Sequence, residues 1–180
     1  YTTGGFTGEV NFNPSGTSAI LTSSSNSQDT FILKLDSLGN YLWAKSFSGA
    51  GSDTGISISL DRAGNIYTTG IFSNTVDFNP GIEVSNFLPN GDADIFIAKL
   101  DSAGNPSSWN NSSNVAVSVW GGTSSEEVRS MALDSNGNIT VGDTTGTLGS
   151  AVRLSATDPT YRIWVGSTSS SNAPFRVDAN

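Results

Sequence analysis

DTFILKLDSLGN at residues 29–40 and DIFIAKLDSAGN at residues 94–105 are two copies of one pattern, 65 positions apart. The surrounding chain repeats with them. YTTGGF at residues 1–6 returns as YTTGIF at 67–72, and VNFNP at 10–14 returns as VDFNP at 76–80, both at an offset of 66. Three blocks recurring in one order at nearly one spacing mark an internal repeat, and a repeat decides the architecture before any local element does.

A shorter signature lies inside the long one. Leu-Asp-x-x-Gly-Asn occurs at residues 35–40, 60–65, 100–105 and 133–138. Each copy follows an apolar segment. Gly39, Gly64, Gly104 and Gly137 supply a position with positive φ, while Asp36, Asp61, Asp101 and Asp134 can bond the backbone of the turn they open. Each copy therefore predicts a hairpin loop, a type I turn closed by a glycine bulge.

The flanks alternate with period two. Ile56, Ile58 and Leu60 are expected on one face with Ser57 and Ser59 on the other; Phe31, Leu33 and Leu35 form a similar face, as do Phe96, Ala98 and Leu100. The stretch TSSEEVRSMAL has the spacing of a helix capping box at Thr123 and Glu126. The repeat opposes a helix there. Residues 120–134 align without gaps on residues 47–61, a copy that contains Gly55 and β-branched residues. Strands are predicted at 55–60, 66–72 and 95–100, with a fourth within 107–120. Four short antiparallel strands in a repeat of about 66 residues make an all-β chain, a segment of a β-propeller built from four-stranded blades. A lone blade cannot cover both its faces, so neighbours stack on it.

Residues 29–81 resemble the bacterial SBBP-type β-propeller repeat: D-x-F-(I/V)-x-K-(L/F)-D-x-x-G-N, an apolar-Trp strand, a Gly/Asp-rich turn, then D-x-x-G-N-(I/V)-Y-x-x-G. The resemblance covers residues 1–105 well and 120–142 more loosely. It implies the propeller fold and a place in large secreted or cell-surface proteins of diverse roles. The C-terminal third departs from the pattern. Residues 106–114 are a Ser/Asn-rich insertion, the strand IYTTG becomes ITVG, and the FNP loop is missing. Residues 141–180 also resemble, loosely, segments of phage tail-fibre and tail-tip proteins. The expected units are a partial blade at 1–54 holding strands two to four, a complete blade at 55–120, and a degenerate blade or the start of another β-rich module at 121–180. One period divides 180 residues into about 2.7 units, against four to eight blades in a closed ring. Opening on Tyr1 without a signal peptide, the chain reads as a fragment, or as part of an assembly whose remaining blades come from a longer chain or other subunits.

Composition narrows the chemistry. There is no Cys and no His, which removes disulfides, the usual zinc sites and every His-based triad. The net charge is −8 and no Lys/Arg cluster exists, which argues against nucleic acid and against an anionic membrane surface. No apolar run is long enough for membrane insertion. The acids leave room for Ca2+ as the one cofactor to consider. The best local set of oxygen ligands is NGDAD, with Asp92 and Asp94; Asp77, Asp53 and the Glu126–Glu127 pair are further acidic positions, and Asp53 and Glu126 fall in equivalent turns. The turn carboxylates are read first as turn caps. Trp43 and Trp164 sit at repeated strand positions and are expected to pack between blades, whereas Trp109, beside Asn110 and Asn111 in the insertion, is the candidate exposed platform for a sugar. Lys34 and Lys99 recur at one strand position, a structural place rather than a unique catalytic one.

No asymmetric constellation of acid, base and nucleophile stands out, so no catalytic residue is expected. The leading expectation is an extracellular or cell-surface binding and scaffold module, non-catalytic, that presents propeller loops to a glycan or protein partner. The alternatives are a phage tail-fibre-type virion protein for host adhesion, and part of a propeller enzyme whose catalytic residues lie outside this piece.

Overall fold

The period-two segments become strands in a computed structural model, which describes residues 1–108, 117–121, 128–133, 139–142, 151–154 and 164–166. In chain order these are β1 (Thr2–Thr7), β2 (Glu9–Asn11), β3 (Ile20–Thr22), β4 (Gln28–Leu35), β5 (Tyr41–Gly49), β6 (Thr54–Leu60), β7 (Ile66–Phe72) and β8 (Val76–Asp77). There follow β9 (Asn86–Phe87), β10 (Asp94–Leu100), β11 (Val117–Trp120), β12 (Ser130–Leu133), β13 (Ile139–Gly142), β14 (Ala151–Leu154) and β15 (Trp164–Gly166). The single helical element among the described residues is a 3₁₀ turn at Ser24–Asn26. Where the capping-box spacing suggested a helix, residues 130–133 are strand β12, and Glu126 and Glu127 lie outside the described residues.

The strands form consecutive antiparallel meanders. One sheet runs β6-β7-β10-β11, the next β12-β13-β14-β15, and the first begins β1-β4-β5. Equivalent strands pair in equivalent register: Phe31 faces Gly4 as Phe96 faces Gly70. The Asp-x-x-Gly-Asn turns join the strands, with φ of 85° at Gly39, 83° at Gly64 and 81° at Gly104. Gly39 N–H donates to the Asp36 carbonyl and Asp36 N–H to the Asn40 carbonyl, and both other turns repeat the pair. This is the glycine-closed turn that the sequence predicts; Asp134 and Gly137 lie outside the described residues.

Both faces of the middle sheet are packed. Phe96, Ala98 and Leu100 join Ile32 and Phe47 of the first sheet in one core. Ile97 and Tyr67, from the other face, join Val128, Met131, Ile139 and Val141 in a second core, with Ile95 against it. One expectation needs correcting. Ile56, Ile58 and Leu60 do not share a face: Ile58 packs on the first core, Ile56 on the second, and Leu60 is exposed. The register of β6 against β7 slips between Gly55 and Ser57, so a bulge residue breaks the alternation there.

The element that ties the first two sheets together was not visible as a strand pair in the sequence. β8 and β9 form a hairpin inside the connection from β7 to β10. β8 does not add to its own sheet. It pairs with the outer strand of the preceding one, Asp77 against Ser48 and Val76 against Gly49, giving the order β1-β4-β5-β8-β9. An added Cβ at Gly49 would lie 2.7 Å from Val76 Cγ2 and against the Thr75 carbonyl, so this close approach needs glycine. Beneath the strap, Phe47 reaches from β5 to Phe78 (5.2 Å between ring centres) and Phe96 (6.0 Å).

Truncating Phe47 to Ala is expected to cost about 3–5 kcal/mol in urea unfolding, the usual loss for a fully buried ring. Phe12→Ala, at the equivalent of Phe78 but half-buried, should cost clearly less. Gly64→Ala, forced to keep a positive φ, should cost about 1 kcal/mol or more in the same measurement.

Candidate functional site

The repeated turn carboxylates are occupied by their own turns. Asp36 Oδ1 accepts from the backbone N–H of Leu38 and of Asn40, both at 2.8 Å, and Oδ2 accepts from Asn40 Nδ2 at 2.8 Å. Asp61 repeats this with Ala63 and Asn65, adding the Tyr67 hydroxyl at 3.2 Å, and Asp101 repeats it with Ala103 and Asn105. The Asn40 bonds hold the Asp36 carboxyl below the usual range. At Asp61 and Asp101 partial burial is the largest single influence and pushes upward, yet the combined donors of the turn outweigh it and both carboxyls are also lowered. What these groups do chemically is clamp a backbone turn.

Asp77 has the same kind of task. Its Oδ1 accepts from Asn79 N–H at 2.9 Å and Ser85 N–H at 2.8 Å, closing the loop between β8 and β9. In the first unit the amide oxygen of Asn11 does this for Asn13 and Ala19, at 3.0 and 2.9 Å. A neutral amide serves equally, so the loop uses the oxygen and not the charge.

Two acids, Asp29 and Asp53, lie at the seam between the first two sheets, and Asp94 holds the place of Asp29 in the second sheet; the burial of all three was not visible in the sequence. Asp29 and Asp94, which open equivalent strands, are buried, as is Asp53. Asp29 accepts from Ser24 N–H at 2.8 Å and weakly from Gly49 N–H at 3.4 Å; Asp94 accepts from Asn90 N–H at 2.9 Å. Asp53 Oδ1 accepts from Ser73 N–H at 3.0 Å, while its Oδ2 is buried without a partner, as is Asp94 Oδ1. Burial pushes the Asp53 carboxyl up to about 7, against the Ser73 bond and helped by the negative charge of Asp29. Burial raises Asp29 too, partly offset by its backbone donors.

Of the pair proposed for calcium, Asp92 is exposed, while Asp94 is turned inward onto its own loop. Among the described residues no group of three acidic side chains is brought together for a metal. Trp109, Asn110 and Asn111 lie outside the described residues, as does the side chain of Trp164. Trp43 packs against the first core, and Gly104 leaves room for it: a Cβ there would be 3.1 Å from the indole. The two lysines are placed alike. Lys34 Nζ lies 5.3 Å from the Tyr1 ring centre and Lys99 Nζ 5.7 Å from that of Tyr67, a cation–π pair present in both of the first two sheets.

The free chemistry is on a loop. Ile82 is fully exposed, and Val84 and Leu88 are 70% and 71% exposed. Ile82 and Val84 lie in the loop of the β8–β9 hairpin and Leu88 directly follows β9; Val84 lines a groove of about 300 Å3 with Asn79, Glu83, Ser85 and Pro106. In the first unit the equivalents of Ile82, Val84 and Leu88 at an offset of 66 are Gly16, Ser18 and Thr22.

Four-stranded antiparallel meanders, repeated along the chain and packed face to face, define an all-β propeller segment. Residues 42–70, from β5 into β7, match the family model of SBBP, a beta-propeller repeat, so the chain carries an SBBP-type repeat. No curated protein matches the chain. Among the described residues no helix is long and apolar enough to cross a membrane.

The buried Asp53 carries a pH signature. Between the ordinary carboxylate range and about pH 7 the unfolded chain has released this proton and the folded chain still holds it. Stability should therefore fall as pH rises through that window and level off above it. Thermal unfolding from pH 4.5 to 8 should show the fall in the wild type and a much flatter profile in Asp53→Asn.

Proposed function

We propose that the chain is a non-catalytic binding and scaffold module of an extracellular or cell-surface protein, presenting propeller loops to a glycan or protein partner. The observation that carries this reading is the exposure of Ile82 and Val84 in the hairpin loop and of Leu88 just after it, on a hairpin clamped by Asp77. Strand faces of the middle sheet are consumed by packing, and the turn carboxylates by their own backbone. A loop is where this fold can change chemistry without changing structure. The second unit does so: at the same loop positions it carries Ile, Val and Leu where the first carries Gly, Ser and Thr. Apolar side chains beside the exposed Glu83 and the amide of Asn79 suit a ligand with both an apolar face and hydroxyl or amide groups. The extracellular setting rests on the resemblance to SBBP-type proteins.

The test is binding by the full chain on a glycan array and to immobilised cell-surface glycoprotein. The comparison is wild type against the combined Ile82→Ser, Val84→Ser, Leu88→Ser variant. We expect the variant to keep its unfolding midpoint and to lose binding by about tenfold or more, as for removal of an apolar anchor. Loss through Trp109→Ala instead would move the site to the insertion at 106–114. Turnover of a bound glycan would overturn the non-catalytic reading.

A further inference from the structure

The first unit lacks something that the second unit shows in place. In the second unit Val76, Phe78, Phe96 and Leu100 are at most 1% exposed, and Val76 pairs with Gly49 across the seam. Their equivalents are Val10, Phe12, Phe31 and Leu35. The first three are only half-buried, and Leu35 is 37% exposed against 0% for Leu100. The local structure is nevertheless the same. Phe12 sits 5.6 Å from Phe6 and 5.0 Å from Phe31, as Phe78 sits 5.3 Å from Phe72 and 4.8 Å from Phe96. β2 pairs with β3 as β8 pairs with β9: Val10 opposes Leu21, as Val76 opposes Phe87. Among the described residues no strand pairs with the other edge of β2. The missing partner is therefore defined by its counterpart: a strand edge and a fourth ring, which in the second unit are β5 and Phe47.

From this we infer that the open edge of β2 and the Phe6–Phe12–Phe31 triad form a docking surface for the outermost strand of a further SBBP-type blade. That strand would put a Gly opposite Val10 and a Phe two residues earlier onto the aromatic triad. The chemistry on both sides is given. Gly is required opposite the valine for the reason stated for Gly49. The phenylalanine completes an edge-to-face cluster, which contributes beyond its buried area. An open strand edge backed by apolar rings is the kind of surface that recruits an added strand. β5 of a second copy does not qualify as the donor, because its edge is already taken by its own β8. The inference rests on the propeller-segment reading and is independent of what the loops bind.

The chain has no Cys, so engineered thiols report pairing cleanly. The probe is a synthetic peptide of residues 41–51, YLWAKSFSGAG, carrying Cys in place of Ser46, Ser48 or Ala50. The target is the full chain with Asn11→Cys, the position opposite Ser48 if β2 pairs as β8 does. Under a glutathione redox buffer the Ser48→Cys peptide should be captured in clear preference to the other two. Phe47→Ala in that peptide should weaken capture by about thirtyfold or more, the loss of one buried aromatic anchor. Capture of all three peptides alike, no capture, or indifference to Phe47→Ala would overturn the inference. Peptide-free self-association abolished by Phe12→Ser would assign the surface to a second copy and would also overturn it. The double variant Ser48→Cys, Asp77→Cys is the internal reference. If it fails to close its intrachain disulfide while still folded, the seam geometry is at fault; if it closes and the peptide is refused, only the docking inference falls.

Discussion

The pairing of β8 with the edge of β5 is the constraint on which the rest of the molecule depends. A four-stranded meander has two flat faces and an outer edge, and none can be left to water at no cost. The chain solves the face with Phe47 and the edge with Val76 and Asp77, both at one seam. The seam then dictates its residues. Gly49 is a glycine because the strap passes directly over it, and Phe78 is buried because Phe47 closes over it. Asp29 and Asp53 are held in the same place, against Gly49 and Ser73, where a carboxylate must compete with desolvation.

Polar groups in this molecule divide by whether they have anything left over. The turn aspartates bond the N–H and amide donors of their own loops, Asp61 taking the Tyr67 hydroxyl as well, and their carboxyls are accordingly lowered. Asp53 and Asp94 each keep one buried oxygen unmatched. An orphan acceptor of this kind costs more than an ordinary hydrogen bond returns, so holding a proton relieves Asp53. The difference between the lowered Asp36, Asp61 and Asp101 and the raised Asp29 and Asp53 follows from local donors against burial.

Much of the fold was legible because a repeat states each strand twice. The period of about 66 residues placed β7 and β10, and Gly39, Gly64 and Gly104 announced their turns. What was not legible was anything decided between units. The FNP block was visible as a repeat, yet nothing in Val-Asp-Phe-Asn-Pro says that its strand joins the preceding sheet. The bulge at Ile56 was likewise hidden, since one extra residue leaves the apolar pattern looking regular. For the site, the sequence correctly located the acids but not their use. Asp29 and Asp94 recur within Asp-x-Phe, and nothing in that pattern announces their burial or the contact of Asp29 with Gly49 at the seam. The exposure of Ile82, Val84 and Leu88 was not legible, because scattered aliphatic residues in and beside a loop carry no period.

The strap also imposes a direction on how the molecule comes together. Asp77 must reach back to Ser48, across a complete strand pair, β6 and β7, that lies between them in the chain. As a chain emerges from a ribosome, one sheet is therefore left with an unsealed margin until a good part of its successor has been made. Here the second blade locks the first only after its own first two strands are made. Such a molecule is assembled like overlapping roof tiles, laid from one end only. Its vulnerability to misassociation sits at whichever tile was laid last.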